Sequence, residues 1–162
     1  MKNILVILVV ALTFSQNTRV SKVYLQASGL TCSMCSNAIH KALKTIDFIE
    51  KVEADVKNSS FEITFRENSQ IDFDRIRQKV ESAGFSVAGF VAVINCDNYQ
   101  LSESQPLKIG DNCLYFTTTP SQVLNGAVRV RILDKGFVPA SEYSRIDLPR
   151  LPGGGKNYHV SI

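Results

Sequence analysis

Two cysteines lie three residues apart, at Cys32 and Cys35, between a run with strand-like alternation and a run with helical spacing. The alternating run covers residues 23–27, and the helical run begins at Cys35. This context predicts one thiol in a short loop and the other in the first turn of a helix. The partial positive charge at a helix N-terminus favours ionisation of the second thiol. Two thiolates with few other ligands suit a soft ion such as Cu(I) or Hg(II) far better than Mg²⁺ or Ca²⁺.

The segment GLTCSMC, residues 29–35, resembles the metal loop of heavy-metal-associated domains, whose pattern is G-M-T-C-x-x-C. These small modules occur in copper chaperones, in the N-terminal parts of copper pumps and in the periplasmic mercuric-ion binding protein. The resemblance covers residues 19–94, about half of the chain. It implies that Cys32 and Cys35 are the metal ligands.

The resemblance also implies supporting roles around the two ligands. Gly29, Leu30 and Thr31 would shape the loop, and Phe85 would pack beside it and exclude water. Leu30 stands where the family has methionine, a change of similar volume that packing beneath the loop should tolerate. Family members that handle zinc or cadmium tend to carry an acidic residue at the position of Thr31, so a threonine there favours a two-coordinate soft ion.

Hydrophobic spacing predicts the order βαββαβ for residues 19–94, an α+β ferredoxin-like sandwich. We expect strands near 21–27, 48–56 and 61–65, and a fourth strand that begins at Phe85. The first helix should cover about 35–45 and bury residues 35, 38, 39, 42, 43 and 46. The second strand should bury residues 52, 54 and 56. Asp72 is the predicted N-cap of the second helix, and Gly84 its C-terminal glycine.

The chain begins with a lysine at position 2 and an apolar run from residue 4 to 12, followed by small residues. This pattern predicts a signal peptide over residues 1–15, cleaved near Ser15 and Gln16, and hence a periplasmic or secreted protein. An uncleaved N-terminal anchor is the alternative. No later segment is long enough to span a bilayer, so we expect no membrane insertion after signal removal. A formal net charge of +3 gives no reason to expect nucleic acid as a partner.

Residues 95–162 change in character and predict a small β-rich domain of unknown function, in the form of a partly open barrel. Short apolar or alternating runs at 113–116, 128–133 and 158–162 are separated by turn signals. Residues 140–146 are expected to form one helical turn. Residues 90–94 are apolar on both faces, so the fourth strand is expected to run into this second unit.

The remaining cysteines, Cys96 and Cys113, are predicted to form a disulfide, because an even cysteine count in an exported protein favours one. Closing this loop would stabilise the fold by about 3 kcal/mol. A second metal site that adds His159 is the alternative. Since His159 alternates within a terminal strand, we expect it at the surface or at a sheet edge.

No catalytic carboxylate pair, nucleophile–base set or phosphate loop stands out, so we expect that the protein is not an enzyme. Three functions fit the sequence. The first is an exported Cu(I)-binding protein that traffics or scavenges copper together with a metal-donor or metal-acceptor protein. A mercuric-ion scavenger would use the same chemistry with another soft ion. The second is a thiol–disulfide redox protein, although the Trp-Cys-Gly-Pro context of thioredoxins is absent. The third is an adaptor that binds a partner protein through residues 95–162.

Overall fold

The computed structural model describes residues 18–30, 33–102, 105–118 and 123–162. The first part of the chain forms β1 (Arg19–Ser28), α1 (Ser33–Lys44), β2 (Ile49–Asp55), β3 (Ser60–Phe65), α2 (Phe73–Ser82) and β4 (Ser86–Gln100). The second part forms β5 (Leu107–Ile109), β6 (Asn112–Phe116), β7 (Val123–Ile132), α3 (Ala140–Tyr143) and β8 (Lys156–Ser161). The predicted signal peptide, residues 1–15, lies outside the described residues.

The strands form one eight-stranded sheet with the order β2-β3-β1-β4-β7-β8-β6-β5. The pairing of β6 with β8 is parallel, and the other pairings are antiparallel. Strand β4 is 15 residues long and pairs with β1 on one side and with β7 on the other. The predicted boundary between residues 94 and 95 falls inside this strand, and β4 joins the two predicted units as expected.

The βαββαβ order is confirmed in the first part of the chain, and a β-rich remainder follows it. Both helices pack their apolar sides into the core. The buried residues of α1 and α2 include Ile39, Leu43, Phe73, Ile76 and Val80. They belong to one hydrophobic cluster with inward residues of β1, β3 and β4, such as Leu25, Ile63 and Phe90.

Three predictions about which side chains face inward are wrong. Ala38 of α1 is exposed, whereas Ser36 is buried, because the bulkier Ile39 and Leu43 set the buried face and Ser36 lies on it. Ala54 and Val56 are also exposed, and Val56 keeps 52% of its surface. Strand β2 is at the sheet edge and has a neighbour on one side only, so the end of this strand is poorly covered.

Both predicted ends of α2 are confirmed. The Asp72 side chain accepts a hydrogen bond from the backbone N–H of Arg75 at 3.0 Å, as an N-cap should. At the other end, Gly84 has φ +89°, a conformation that glycine adopts without a steric penalty. Its N–H bonds Glu81 O at 2.9 Å and the Phe85 N–H bonds Val80 O at 3.2 Å, the pattern of a Schellman motif.

An aromatic cluster packs the second part of the chain against α2 and β4. Phe137 makes edge-to-face contacts with Phe90 and Tyr158, at centroid distances of 5.2 and 5.6 Å. Phe73 contacts Phe90 and Tyr158 in the same way. The Tyr158 hydroxyl donates to Asp74 Oδ2 at 2.8 Å. Burial, reinforced by this carboxylate, raises the pKa of Tyr158 far above its ordinary value.

The predicted surface or edge position of His159 is wrong. Strand β8 lies between β7 and β6, and His159 is 6% exposed. Periodicity alone could not show this, because a connecting segment covers the outer face of β8 here.

Among the described residues, no helix is both long and apolar enough to cross a membrane.

Candidate metal centre

The described part of the Cys-x-x-Cys segment, residues 33–35, lies in the first turn of α1, where Cys35 was predicted. Gly29 has φ +81°, so the chain leaves the strand through a left-handed residue that favours glycine. Leu30 is half-buried and packs against the core. Thr31 and Cys32 lie outside the described residues, and their roles stay predictions.

Cys35 is the third residue of α1 and is half-buried. No acidic side chain occupies the first turn of this helix. The first N–H groups of a helix lack intrahelical partners and carry partial positive charge, which favours a thiolate at this position. Met34 is 80% exposed, in agreement with a solvent-facing side chain. Ser36 is buried, and its hydroxyl has no hydrogen-bond partner among the described residues.

Three connecting segments lie close together where β1 ends: the segment after β1, the turn between β2 and β3, and the segment before β4. The Ala27 N–H donates to Ser59 O at 3.0 Å, which places the turn between β2 and β3 beside the end of β1. Ser28 pairs with Ser86, so Phe85 directly precedes the residue that faces the end of β1. Phe85 is half-buried and packs against the core. Its role beside the metal loop stays a prediction.

Within the described part of the chain, no three residues of the types His, Cys, Asp or Glu come together as a metal site. His40 lies close to the loop in sequence, but its Nε2 faces Val52 O at 3.2 Å and must donate to it. The Nε2 atom of His40 is therefore occupied by its hydrogen bond to strand β2. The described surroundings of Cys35 offer no tetrahedral ligand set of the kind that zinc prefers.

The predicted disulfide between Cys96 and Cys113 is not formed in the structure, where both are free thiols. Cys96 is 5% exposed and points into the core, and this burial raises the pKa of its thiol. Cys113 lies between two buried residues of β6 and so points to the opposite face of the sheet. Strands β7 and β8 also lie between β4 and β6. Two thiols on opposite faces and on non-adjacent strands do not meet the geometry of a disulfide.

One polar cluster, which is formed by Asp134 and His159, was not predicted from the sequence. The backbone N–H of His159 donates to Asp134 Oδ2, and Nδ1 of its ring lies 2.7 Å from Asp134 Oδ1. The two residues are 25 positions apart, and no spacing rule joins them. Only the pairing of β7 with β8 brings them together.

Comparison with known proteins identifies the same region. Residues 25–86 match the family model of the heavy-metal-associated domain. The probable copper-transporting ATPase HMA5 of Arabidopsis thaliana is 29% identical over 123 residues, which are 74% of this chain and 12% of that protein. A copper-transporting ATPase of Helicobacter pylori is 38% identical over 58 residues, 36% of this chain and 8% of that protein. The chain thus spans about a tenth of the length of these relatives.

Solved structures also align with the first part of the chain. The yeast copper transporter domain Ccc2a is 25% identical, covers 41% of this chain and 90% of its own, and gives a TM-score of 0.37. The CopZ metallochaperone is 22% identical, covers 42% of this chain and 100% of its own, and gives a TM-score of 0.39. Both scores lie below 0.5, so the fold assignment rests on the element order described above.

Proposed function

Because the chain contains a heavy-metal-associated domain in residues 25–86, we propose that it binds one Cu(I) ion between the thiolates of Cys32 and Cys35. It carries this ion as cargo and exchanges it with a metal-donor or metal-acceptor protein. The proposal includes export, because residues 1–15 have the pattern of a signal peptide. It includes no catalysis.

The observation that carries the proposal is the position of Cys35 in the first turn of α1, within the segment that matches the family. A thiolate there gains from the helix N-terminus, and the described residues contain no cluster of three or more His, Cys, Asp or Glu side chains around it. A site with two thiolate ligands and otherwise open coordination positions suits Cu(I), a soft ion that accepts a low coordination number. The copper-transporting ATPases among the relatives support the same metal.

Transfer requires that a partner thiolate reach the ion while both cysteines still hold it. The exposed Met34 shows that one side of the first turn of α1 faces solvent. A third thiolate can therefore approach from outside and form a three-coordinate intermediate. One of the two original Cu–S bonds then breaks, and the ion moves without a change of its oxidation state.

Intact-mass spectrometry of the protein purified from its native compartment tests metal and export together. We expect a chain that begins near Gln16 and carries one copper ion, with Cys32 and Cys35 reduced. A protein that retains residues 1–15 would overturn cleavage of the signal peptide and favour the uncleaved anchor. Zinc in place of copper would overturn the choice of metal.

The metal preference has its own test at Thr31. Thr31→Asp should raise zinc affinity markedly and leave Cu(I) affinity nearly unchanged, because a new carboxylate serves a divalent tetrahedral ion better than a two-coordinate monovalent ion. Thr31→Val is the matched control, since it adds no ligand. If the wild-type protein already bound zinc as tightly as the aspartate variant, ligands outside the loop would be contributing and the two-coordinate site would be wrong.

A further inference from the structure

Residues 144–155 connect α3 to β8 and are called the strap below. They contain no helix or strand, and most of them are exposed. Within the described chain, the hydrogen bonds of residues 147–155 come from two side chains of β8. Asn157 Nδ2 donates to Pro152 O at 2.9 Å and to Gly154 O at 3.0 Å, and the ring of His159 contacts Pro149 O at 2.7 Å through Nε2.

Both ring nitrogens of His159 face acceptors. Nδ1 lies 2.7 Å from a carboxylate oxygen of Asp134, and Nε2 lies 2.7 Å from the carbonyl oxygen of Pro149. A neutral imidazole has only one N–H, so one of these contacts would place two lone pairs against each other. The Asp134–His159 pair must therefore carry one more proton than a carboxylate and a neutral ring. Because an imidazole is a stronger base than a carboxylate, the extra proton lies on the ring, and Asp134 also accepts the backbone N–H of His159.

We propose that His159 holds the strap closed only as an imidazolium, which makes the strap a pH-sensitive cover over the outer face of β8. When the ring loses a proton, Nδ1–H stays with the Asp134 carboxylate and Nε2 becomes a lone pair that repels Pro149 O. The strap then keeps only the contacts of Asn157. Rising pH opens it, and falling pH closes it.

Among the described charged groups near the His159 ring, Asp134 is the one whose carboxylate contacts the ring directly. Tyr115 of β6 stands in register with His159, and Arg131 of β7 pairs with Ser161, two residues along β8. The Arg131 guanidinium already forms two hydrogen bonds with Glu142 of α3, at 2.7 and 2.9 Å. The other charged residues of these segments are Arg129 of β7, which lies over the Tyr24 ring, Lys135 beside Asp134, Arg145, Asp147 and Arg150 in the strap, and Lys156, which is paired with Asp72.

Nuclear magnetic resonance of the ring nitrogens tests the protonation directly, because the chain has only two histidines. At neutral pH we expect both nitrogens of His159 to carry protons, because each lies 2.7 Å from an acceptor oxygen. The variant His40→Gln leaves a single histidine signal and assigns it. An unprotonated Nε2 at neutral pH in a protein whose strap resists cleavage would overturn the proposal.

Limited proteolysis tests the movement, because Arg150 follows Pro149, whose carbonyl oxygen contacts His159. Between about pH 6 and about pH 9, the rate of tryptic cleavage after Arg150, relative to that of a free peptide of the same sequence, should rise about tenfold, the worth of one charge-assisted hydrogen bond. His159→Gln should give a strap that is cleaved rapidly and equally, on the same relative scale, at both pH values. Asn157→Ala, the control, should speed cleavage at both pH values and keep the pH dependence. An unchanged relative rate in the wild-type protein would contradict the proposal, whereas unchanged hydrogen-exchange protection in β1 and β4 would show that the fold is intact.

Discussion

The aromatic cluster between α2, β4 and β8 predicts that the two parts of the chain unfold together. Phe137 is 2% exposed and contacts Phe90, Tyr158 and the guanidinium of Arg77, whose central carbon lies 5.6 Å from the ring centroid. We expect Phe137→Ala to lower the free energy of unfolding of the whole chain, including the metal-binding part.

The size of the effect follows from these contacts. Truncation of a buried phenylalanine to alanine costs about 3–5 kcal/mol, which includes the lost apolar burial and the cavity. Two edge-to-face pairs and a cation–π contact place this site toward the upper half of that range. With a urea dependence of about 2 kcal/mol per molar, the unfolding midpoint should fall by about 2 M.

Pulsed hydrogen exchange with mass spectrometry along a urea series separates the two parts of the chain. Peptides from residues 19–85 and from residues 101–162 should show the same midpoint in the wild-type protein and shift together in Phe137→Ala. Val123→Ala, in the same part of the chain but 57% exposed, is the matched control and should change the free energy by less than about 0.5 kcal/mol. If residues 19–85 kept the wild-type midpoint while the later peptides lost theirs, the shared sheet would not couple the two parts.

Two further predictions concern the contacts of α2. Gly136 has φ +86°, and a Cβ there would lie 2.9 Å from Arg77 Cδ, so Gly136→Ala should cost about 1–3 kcal/mol in chemical denaturation. Gly153→Ala, where a Cβ meets nothing within 4 Å, should be neutral or slightly stabilising. Partial burial pushes the pKa of Asp72 upward, but Lys156 and the Arg75 N–H outweigh it and hold the pKa below 3.8. The charge of Asp72 therefore stabilises the fold above that pH, and this contribution is lost as pH falls through the lowered pKa. Asparagine caps a helix about as well as aspartate, so Asp72→Asn removes the charge alone and should be less stable by about 0.5–1 kcal/mol at neutral pH, from the lost ion pair with Lys156 and the lost charge at the helix N-terminus. Acid denaturation curves of the two proteins should converge at low pH, where the carboxyl of Asp72 is protonated; a constant gap would contradict the role of the charge.

The sequence predicted the elements whose signals are local. Asp72 and Gly84 bracket α2 because an N-cap oxygen and a left-handed glycine act on their own turn of helix. The inward face of β3 was correct because Phe61, Ile63 and Phe65 alternate without a competing apolar residue. The position of Cys35 in the first turn of α1 was also predicted locally, because the cysteines stand at a change of hydrophobic period.

Features that depend on long-range pairing were not predicted. His159 looks like an edge residue in the sequence, yet β8 lies between β7 and β6 and the strap covers its outer face. The proposed bond between Cys96 and Cys113 relied on a count of cysteines, which carries no information about the face on which each thiol lies. The order of strands in the second half of the sheet determines both the burial of His159 and the separation of the two thiols. Hydrophobic periodicity carries no information about this order.

The most direct test of the proposed metal site is an anaerobic competition titration of Cu(I) between the protein and a strong chromophoric chelator. The wild-type protein and the variant Cys96→Ala with Cys113→Ala should each withdraw one equivalent of Cu(I). The variant Cys32→Ser with Cys35→Ser should withdraw none, while its circular dichroism and urea midpoint match those of the wild-type protein. If the double serine variant still competed as strongly as the wild-type protein, Cu(I) would be held elsewhere, and the two-thiolate site would be contradicted.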